Sequence, residues 1–129
     1  MHICQFVVHA LAEVITSPTH EENVIRKYFS PNYHQVVNGN HLDFNHFLNH
    51  MALLKQEAQH IALTLIAAAS EGDTVLTHHQ VSAEKVDGTT VSFDVMAHFT
   101  VTDGQIIRCE ELTRMLKGAE SDQDLSCRH

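Results

Sequence analysis

Basic residues are scarce in this chain: eight Lys and Arg stand against sixteen Asp and Glu, a formal net charge of −8. Nucleic-acid phosphates would be repelled by such a balance, so no nucleic-acid partner is expected. Cysteine is scarce too. Cys4, Cys109 and Cys127 are odd in number and form no CxxC or similar spacing. Neither a disulfide framework nor a zinc knuckle follows, and reduced thiols in a cytoplasmic protein are expected. The start lacks a basic region: Met1 to Ile15 carries Glu13 and does not read as a signal peptide. Long hydrophobic runs are missing as well. Ile61 to Ala69 is interrupted by Thr64 and falls far short of a membrane span, so no membrane partner is expected. There is no GxGxxG, P-loop or GxSxG, which leaves nucleotide binding and serine-hydrolase chemistry without support. No cofactor is expected.

What is present is globular. The chain has 129 residues, 43% of them apolar and 19% charged, ordinary composition for one folded domain. A chain of this size buries roughly two-thirds of its unfolded surface and supports a core without covalent staples. No internal repeat or linker divides it, so residues 1–129 read as one domain with a core over about 3–117 and a polar tail over 118–129.

The first half has helical spacing. Ile3, Phe6, Val7, Ala10 and Val14 fall on one stripe, and Ser17-Pro18 ends it. Thr19-His20-Glu21-Glu22 fits a capping box for a second helix carrying Val24, Ile25, Tyr28 and Phe29, which Ser30-Pro31-Asn32 terminates. Tyr33 to Val37 reads as a short extended piece closed by Asn38-Gly39. Asp43 then caps a third helix with Phe44, Phe47, Leu48, Met51 and Leu54 on one face. The second half reads as four strands, 61–69, 74–85, 90–102 and 105–117. They are separated by Glu71-Gly72-Asp73, Asp87-Gly88 and Asp103-Gly104, and Asp-Gly between alternating strands signals hairpins because both turn residues must accept positive φ. Val91, Phe93, Val95, Ala97, Phe99 and Val101 alternate with Ser92, Asp94, Met96, His98 and Thr100, giving one apolar and one mixed face.

The order of these elements, with Tyr28-Phe29-Ser30-Pro31-Asn32-Tyr33, Gly39, Leu42-Asp43-Phe44, Phe99, Asp103-Gly104-Gln105-Ile106 and Glu110-Glu111-Leu112-Thr113-Arg114, resembles the nuclear transport factor 2-like superfamily. The nearest branch is the SnoaL-like polyketide cyclase group, and Asp122-Gln123-Asp124-Leu125 is similar to the ending of its bacterial members. The resemblance implies an α+β fold, a cystatin-like roll or cone. Three N-terminal helices pack on a curved, mostly antiparallel four-strand meander, with room for a short extra strand. It further implies a largely apolar pocket for a small apolar or aromatic ligand. It also implies a homodimer through the outer sheet face, which Ser92, Asp94, Met96 and His98 would suit.

Enzymes of this superfamily, such as ketosteroid isomerase and the polyketide cyclases, abstract a proton next to a carbonyl with an acid or His held in the pocket. Such a base needs a pKa near neutrality and a donor beside the developing oxyanion. Two positions the family commonly gives to an acid or base, three residues after the Tyr and seven before the turn Gly, are Val36 and Ala97 here. Other residues must carry any chemistry. One of His34 and Gln35 points inward if the segment is extended. His79 shares parity with Val75, Thr77 and Val81, and Glu111 shares parity with Ile107 and Cys109. The expected catalytic set is Glu111 or His79 as base and Tyr33 as donor. The expected pocket lining is Tyr33, Gln35, Phe47, Met51, His79, Phe99 and Glu111. The rival expectation is a non-catalytic dimerisation or ligand-sensing module. Twelve histidines raise the question of a metal. His46 and His50 stand i, i+4 but lack the adjacent Glu of a zinc hydrolase, and His78 and His79 point to opposite faces of a strand, so no metal site is expected.

Overall fold

Turn chemistry sets the sheet. Asn38 and Gly39 have φ of 48° and 84°, and Asp103 and Gly104 have 53° and 76°. Both pairs thus take the doubly left-handed turn whose twist matches the flanking strands. At Asp87-Gly88 only Gly88 is left-handed, and the Asp87 carboxylate accepts from Thr89 N at 2.9 Å and Thr89 Oγ1 at 2.6 Å.

The computed structural model describes residues 2–119. Its elements are α1 (Ile3–Thr16), α2 (Glu22–Tyr28), β1 (Phe29–Val37), β2 (Asn40–Asp43), α3 (Phe44–Glu57), β3 (Ala58–Glu71), β4 (Thr74–Lys85), β5 (Thr90–Thr102) and β6 (Gln105–Lys117). One sheet has the order β2-β1-β6-β5-β4-β3. Only β1 and β6 run parallel; every other neighbouring pair is antiparallel. The helices cover one face, α1 against β3 and β4 and α3 against β1, β2 and β3.

This architecture corrects the sequence reading in several places. The sheet has six strands, not four: the segment read as a helix end and a short extended piece forms β1, and Asn40–Asp43, between the Asn38-Gly39 turn and the third helix, forms β2. Ser30-Pro31-Asn32 lies inside β1 rather than ending α2, which stops at Tyr28. The β1–β6 register shifts between Phe29 and His34, around Pro31, where a missing backbone N–H is tolerated. Glu21, not Thr19, is the N-cap of α2 and makes no side-chain cap bond. The helix-to-strand change comes at Ala58, three residues before Ile61. Asp43 does cap α3, its carboxylate accepting from His46 N at 2.8 Å. The tail motif Asp122–Leu125 and Cys127 lie outside the described residues, among which no helix is long and apolar enough to cross a membrane.

The core lies between helices and sheet. Phe29, Tyr33 and Phe47 form a three-ring cluster with centroids 4.8–4.9 Å apart, each pair adding to its area burial. Lys55 of α3 closes the end of α1: its ammonium donates to Ile15 O at 2.6 Å and to Ser17 O. These carbonyls have no partner within the helix. Burial lowers the Lys55 pKa to about 8.

Candidate functional site

Between α1, α3 and the inner face of β1, β4, β5 and β6 the protein encloses a cavity of about 110 Å³. An apolar cavity of roughly 150 Å³ holds one benzene ring, so this space suits an occupant of about one ring. Helix α1 contributes Ala10, Leu11, Val14 and Ile15, and β5 contributes Val91, Phe93, Val95 and Phe99. All seven residues named above as pocket lining border it: Tyr33, Gln35, Phe47, Met51, His79, Phe99 and Glu111.

Strand pairing explains the polar positions. Gln35 lies beside Cys109 in the parallel β1–β6 pair, and Tyr33 Oη donates to Gln35 Oε1 at 2.6 Å. His34 therefore points outward, where its ring nitrogen meets that of His41 at 2.9 Å. On β6, Ile107 is the extra residue of a bulge, since Thr100 pairs with Arg108 while Val101 pairs with Ile106. The inner face of β6 is thus Ile106, Cys109, Glu111 and Thr113, not Ile107, because a bulge reverses parity along a strand. The Asn38 side chain holds this end of β6: Nδ2 donates to Thr113 O at 3.0 Å and Oδ1 accepts from Thr113 N at 2.8 Å.

Glu111 is the chemically distinctive group. Its carboxyl lies in the interior, and desolvation raises its pKa to about 7, because burial without a counter-charge disfavours the ionised form. Cys109 Sγ donates to Glu111 Oε2 at 4.0 Å, a long contact. His79, 2% exposed, has its pKa lowered to about 4 by desolvation first and the neighbouring His78 second. Its Nδ1 lies 3.0 Å from Thr77 Oγ1. Burial and the adjacent Cys109 and Glu111 charges hold the Tyr33 hydroxyl well above its usual value. Burial does the same to the Cys109 thiol, so neither is an anion at neutral pH.

Glu111 and His79 both border the cavity but do not form a pair. Glu111 is opposite Ala97 and His79 is opposite Val95, so β5 stands between them. Two strand spacings separate their backbones by roughly 10 Å. Ala97, the apolar residue at a habitual acid position, is thus the cross-strand partner of Glu111; the carboxylate stands one strand over. Val36 borders the outer face instead.

Three cavity groups escaped the sequence reading. His50 was weighed only as a metal partner of His46. It is 6% exposed and borders the cavity, whereas His46 sits outside and bonds Asp43 at 2.9 Å. Its nearness to Met51 and Phe47 on the buried stripe was the available signal. Cys109 was noted for its parity but not as lining. Thr113 continues the row of Cys109 and Glu111 without a signal of its own; its Oγ1 is buried and has no hydrogen-bond partner among the described residues. Among the described residues no group of three or more His, Cys, Asp or Glu is placed to hold a metal.

The outer sheet face carries an open groove of about 710 Å³ bordered by Val36, Leu76, Met96 and Leu112. Leu76, Met96 and Leu112 are 52%, 55% and 70% exposed. His78 and Glu110 border the groove; His78 hydrogen-bonds Asp94 at 2.7 Å, Glu110 pairs with Arg108 at 2.8 Å, and Arg114 lies 3.7 Å from Asp94.

The model of the SnoaL-like domain matches residues 8–109, most of the chain and the wall of this cavity up to Cys109. The chain belongs to the SnoaL-like family. Among curated proteins, the Schizosaccharomyces pombe protein C11D3.04c is 25% identical over 118 residues, 92% of this chain and 91% of its own. Two solved structures share the fold of this SnoaL-like chain. AclR of Streptomyces galilaeus, a proposed hydroxylase, superposes with a TM-score of 0.75 at 15% identity, covering 95% of this chain and 83% of AclR. IdmH of Streptomyces antibioticus, a proposed polyketide cyclase, gives 0.73 at 14% identity, covering 87% and 92%. At those identities the likeness is one of fold.

Proposed function

We propose that this SnoaL-like protein binds a small apolar or aromatic molecule, about one ring in size, in the cavity beside Glu111. The observation that carries the reading is a carboxyl group inside an apolar cavity with its pKa near 7. A carboxyl kept there at the cost of its own solvation points to function rather than packing.

Where the ligand carries a carbonyl, the reaction is of the isomerase or cyclase type. Ionised Glu111 takes the proton from the adjacent carbon, the electron pair moves onto the carbonyl oxygen, and protonated Glu111 returns the proton to carbon. Its pKa near the working pH favours both transfers. His79, with a pKa of about 4, is a weak base and serves as a neutral wall with a polar tip. The Tyr33 hydroxyl is committed to Gln35, so Tyr33 orients the Gln35 amide. That amide and the Thr113 hydroxyl line the cavity and can donate to a developing oxyanion. A thermal-shift screen of one-ring ketones, enones, alcohols and amines tests binding; the absence of any stabiliser in the set would overturn it. Glu111→Gln should abolish turnover of a substrate found this way, and unchanged turnover would remove Glu111 from catalysis.

The second reading is a non-catalytic ligand-sensing or dimerisation module. The separation of His79 from Glu111 by β5 favours it. In either case we propose that the outer groove packs against a second copy. A contiguous exposed apolar surface with a charged rim is the pattern of an interface.

A further inference from the structure

The cavity is one-signed. Among the described residues its lining has no Lys or Arg, and its one acidic side chain is Glu111. Five of the eight aromatic rings in the chain border it: Phe29, Tyr33, Phe47, Phe93 and Phe99. Aromatic faces are negative and attract a cation within about 6 Å of the ring centre. The three-ring cluster of Phe29, Tyr33 and Phe47 lies at the Glu111 end, where Tyr33 feels the Glu111 charge. Beside it on the same face of β6 is the buried Thr113 Oγ1, a hydroxyl with no partner.

Carboxylate, unpartnered hydroxyl and ring faces share one complement. We infer that the preferred occupant carries a positively charged ammonium on a small apolar or aromatic body, the ammonium donating to the Glu111 carboxylate and to Thr113 Oγ1 and resting against the ring faces. This rests on the reading of the cavity as a small-molecule site and adds the charge of the ligand. In a largely apolar, poorly solvated space an opposite charge replaces the missing solvation of Glu111, and the attraction exceeds its value in water.

The ionisable groups facing Glu111 from each packed element are few. They are Tyr33 on β1, Cys109 on its own strand β6, His79 on β4 and His50 on α3; α1 and β5 bring none to the cavity. Tyr33 and Cys109 stay neutral throughout the neutral range, as does His79 down to about pH 4. Glu111 is thus the one group lining the cavity, among the described residues, that becomes an anion in the neutral range. From pH 8 to pH 5.5 its ionised fraction falls roughly thirty-fold for a pKa of about 7.

A charge series of one shape provides the test: benzylammonium, benzyl alcohol and benzoate, titrated calorimetrically into the full chain at pH 8 and pH 5.5. Benzylammonium, protonated throughout this range, should bind at least tenfold tighter than benzyl alcohol at pH 8 and lose more than tenfold by pH 5.5. Benzoate should not bind. Glu111→Gln, checked for folding by its thermal melt, should bring the ammonium-to-alcohol ratio to about one. Alcohol binding as tightly as the ammonium at pH 8 would overturn the charge preference while leaving the small-molecule site standing. An undiminished ratio in Glu111→Gln would overturn the role of Glu111. No binding of any of the three would overturn the site reading and this inference together.

Discussion

Replacing Glu111 by Gln should stabilise the protein above neutral pH and uncover a titration of His79 that the native chain masks. The folded-state pKa of Glu111 is about 7, above its ordinary 4.5. Between those values the folded state holds a proton that the unfolded chain has released, so stability falls as pH rises from about 4.5 to 7 and is flat beyond. The 2.5-unit difference corresponds to about 3 kcal/mol. His79 is the mirror image, with a folded value of about 4 against 6.5. Between those values the unfolded chain holds the extra proton, so stability is lost as pH falls from about 6.5 to 4, again by about 3 kcal/mol. The two slopes oppose each other between about pH 4.5 and 6.5 and nearly cancel in the native protein. Glu111→Gln should therefore exceed native stability by about 3 kcal/mol at pH 8, converge with it near pH 4, and decline steeply from pH 6.5 downward. His79→Asn keeps a nitrogen near the Thr77 hydroxyl and should show the opposite slope, losing stability from pH 4.5 to 7. Asp43, Asp87, Asp94 and Glu110, whose pKa values are lowered by their hydrogen bonds, destabilise all three proteins alike in acid and drop out of the differences. Urea denaturation at half-unit steps from pH 4 to 8 is the assay. Glu111→Gln within about 1 kcal/mol of native at pH 8, or variant profiles parallel to native, would refute the reasoning.

Thr113→Val removes a buried hydroxyl without a partner from a strand position that suits Val, and should stabilise by about 1 kcal/mol in urea denaturation. Lys55→Met removes the donor to Ile15 O and Ser17 O. It should cost about 2 kcal/mol and speed hydrogen exchange at the end of α1 before the rest of the fold. Leu112→Lys places a charge at the centre of the outer groove, where Leu112 is 70% exposed. It should shift sedimentation to the monomer while leaving the melting temperature of the monomer unchanged.

Much of this molecule is legible in its sequence. The bounds of β4, β5 and β6 followed from turn residues that tolerate positive φ, a local property that neighbours do not override. Inward parity along β4 followed from simple alternation and placed His79 correctly. What escaped depended on pairing across the chain. Ser30-Pro31-Asn32 has the local chemistry of a terminator, but β6 recruits the segment as a parallel partner and absorbs the proline at a register shift. The bulge at Ile107 is likewise invisible in periodicity, because it arises from the pairing with β5. Glu111 was found by parity with Cys109, which lies on the same side of that bulge; Thr113 continued the same row but carried no signal of its own. Glu111 and His79 share the inner face yet do not meet, for a similar reason. Parity tells which face a side chain takes, not how many strands separate two residues on that face.

Glu111 is a carboxyl poised near neutrality inside a largely apolar cavity. The direct measurement is its side-chain carboxyl carbon followed by NMR through a pH titration of the folded protein. A midpoint near pH 7 is expected. A midpoint at the ordinary carboxylate value of about 4.5 would contradict it.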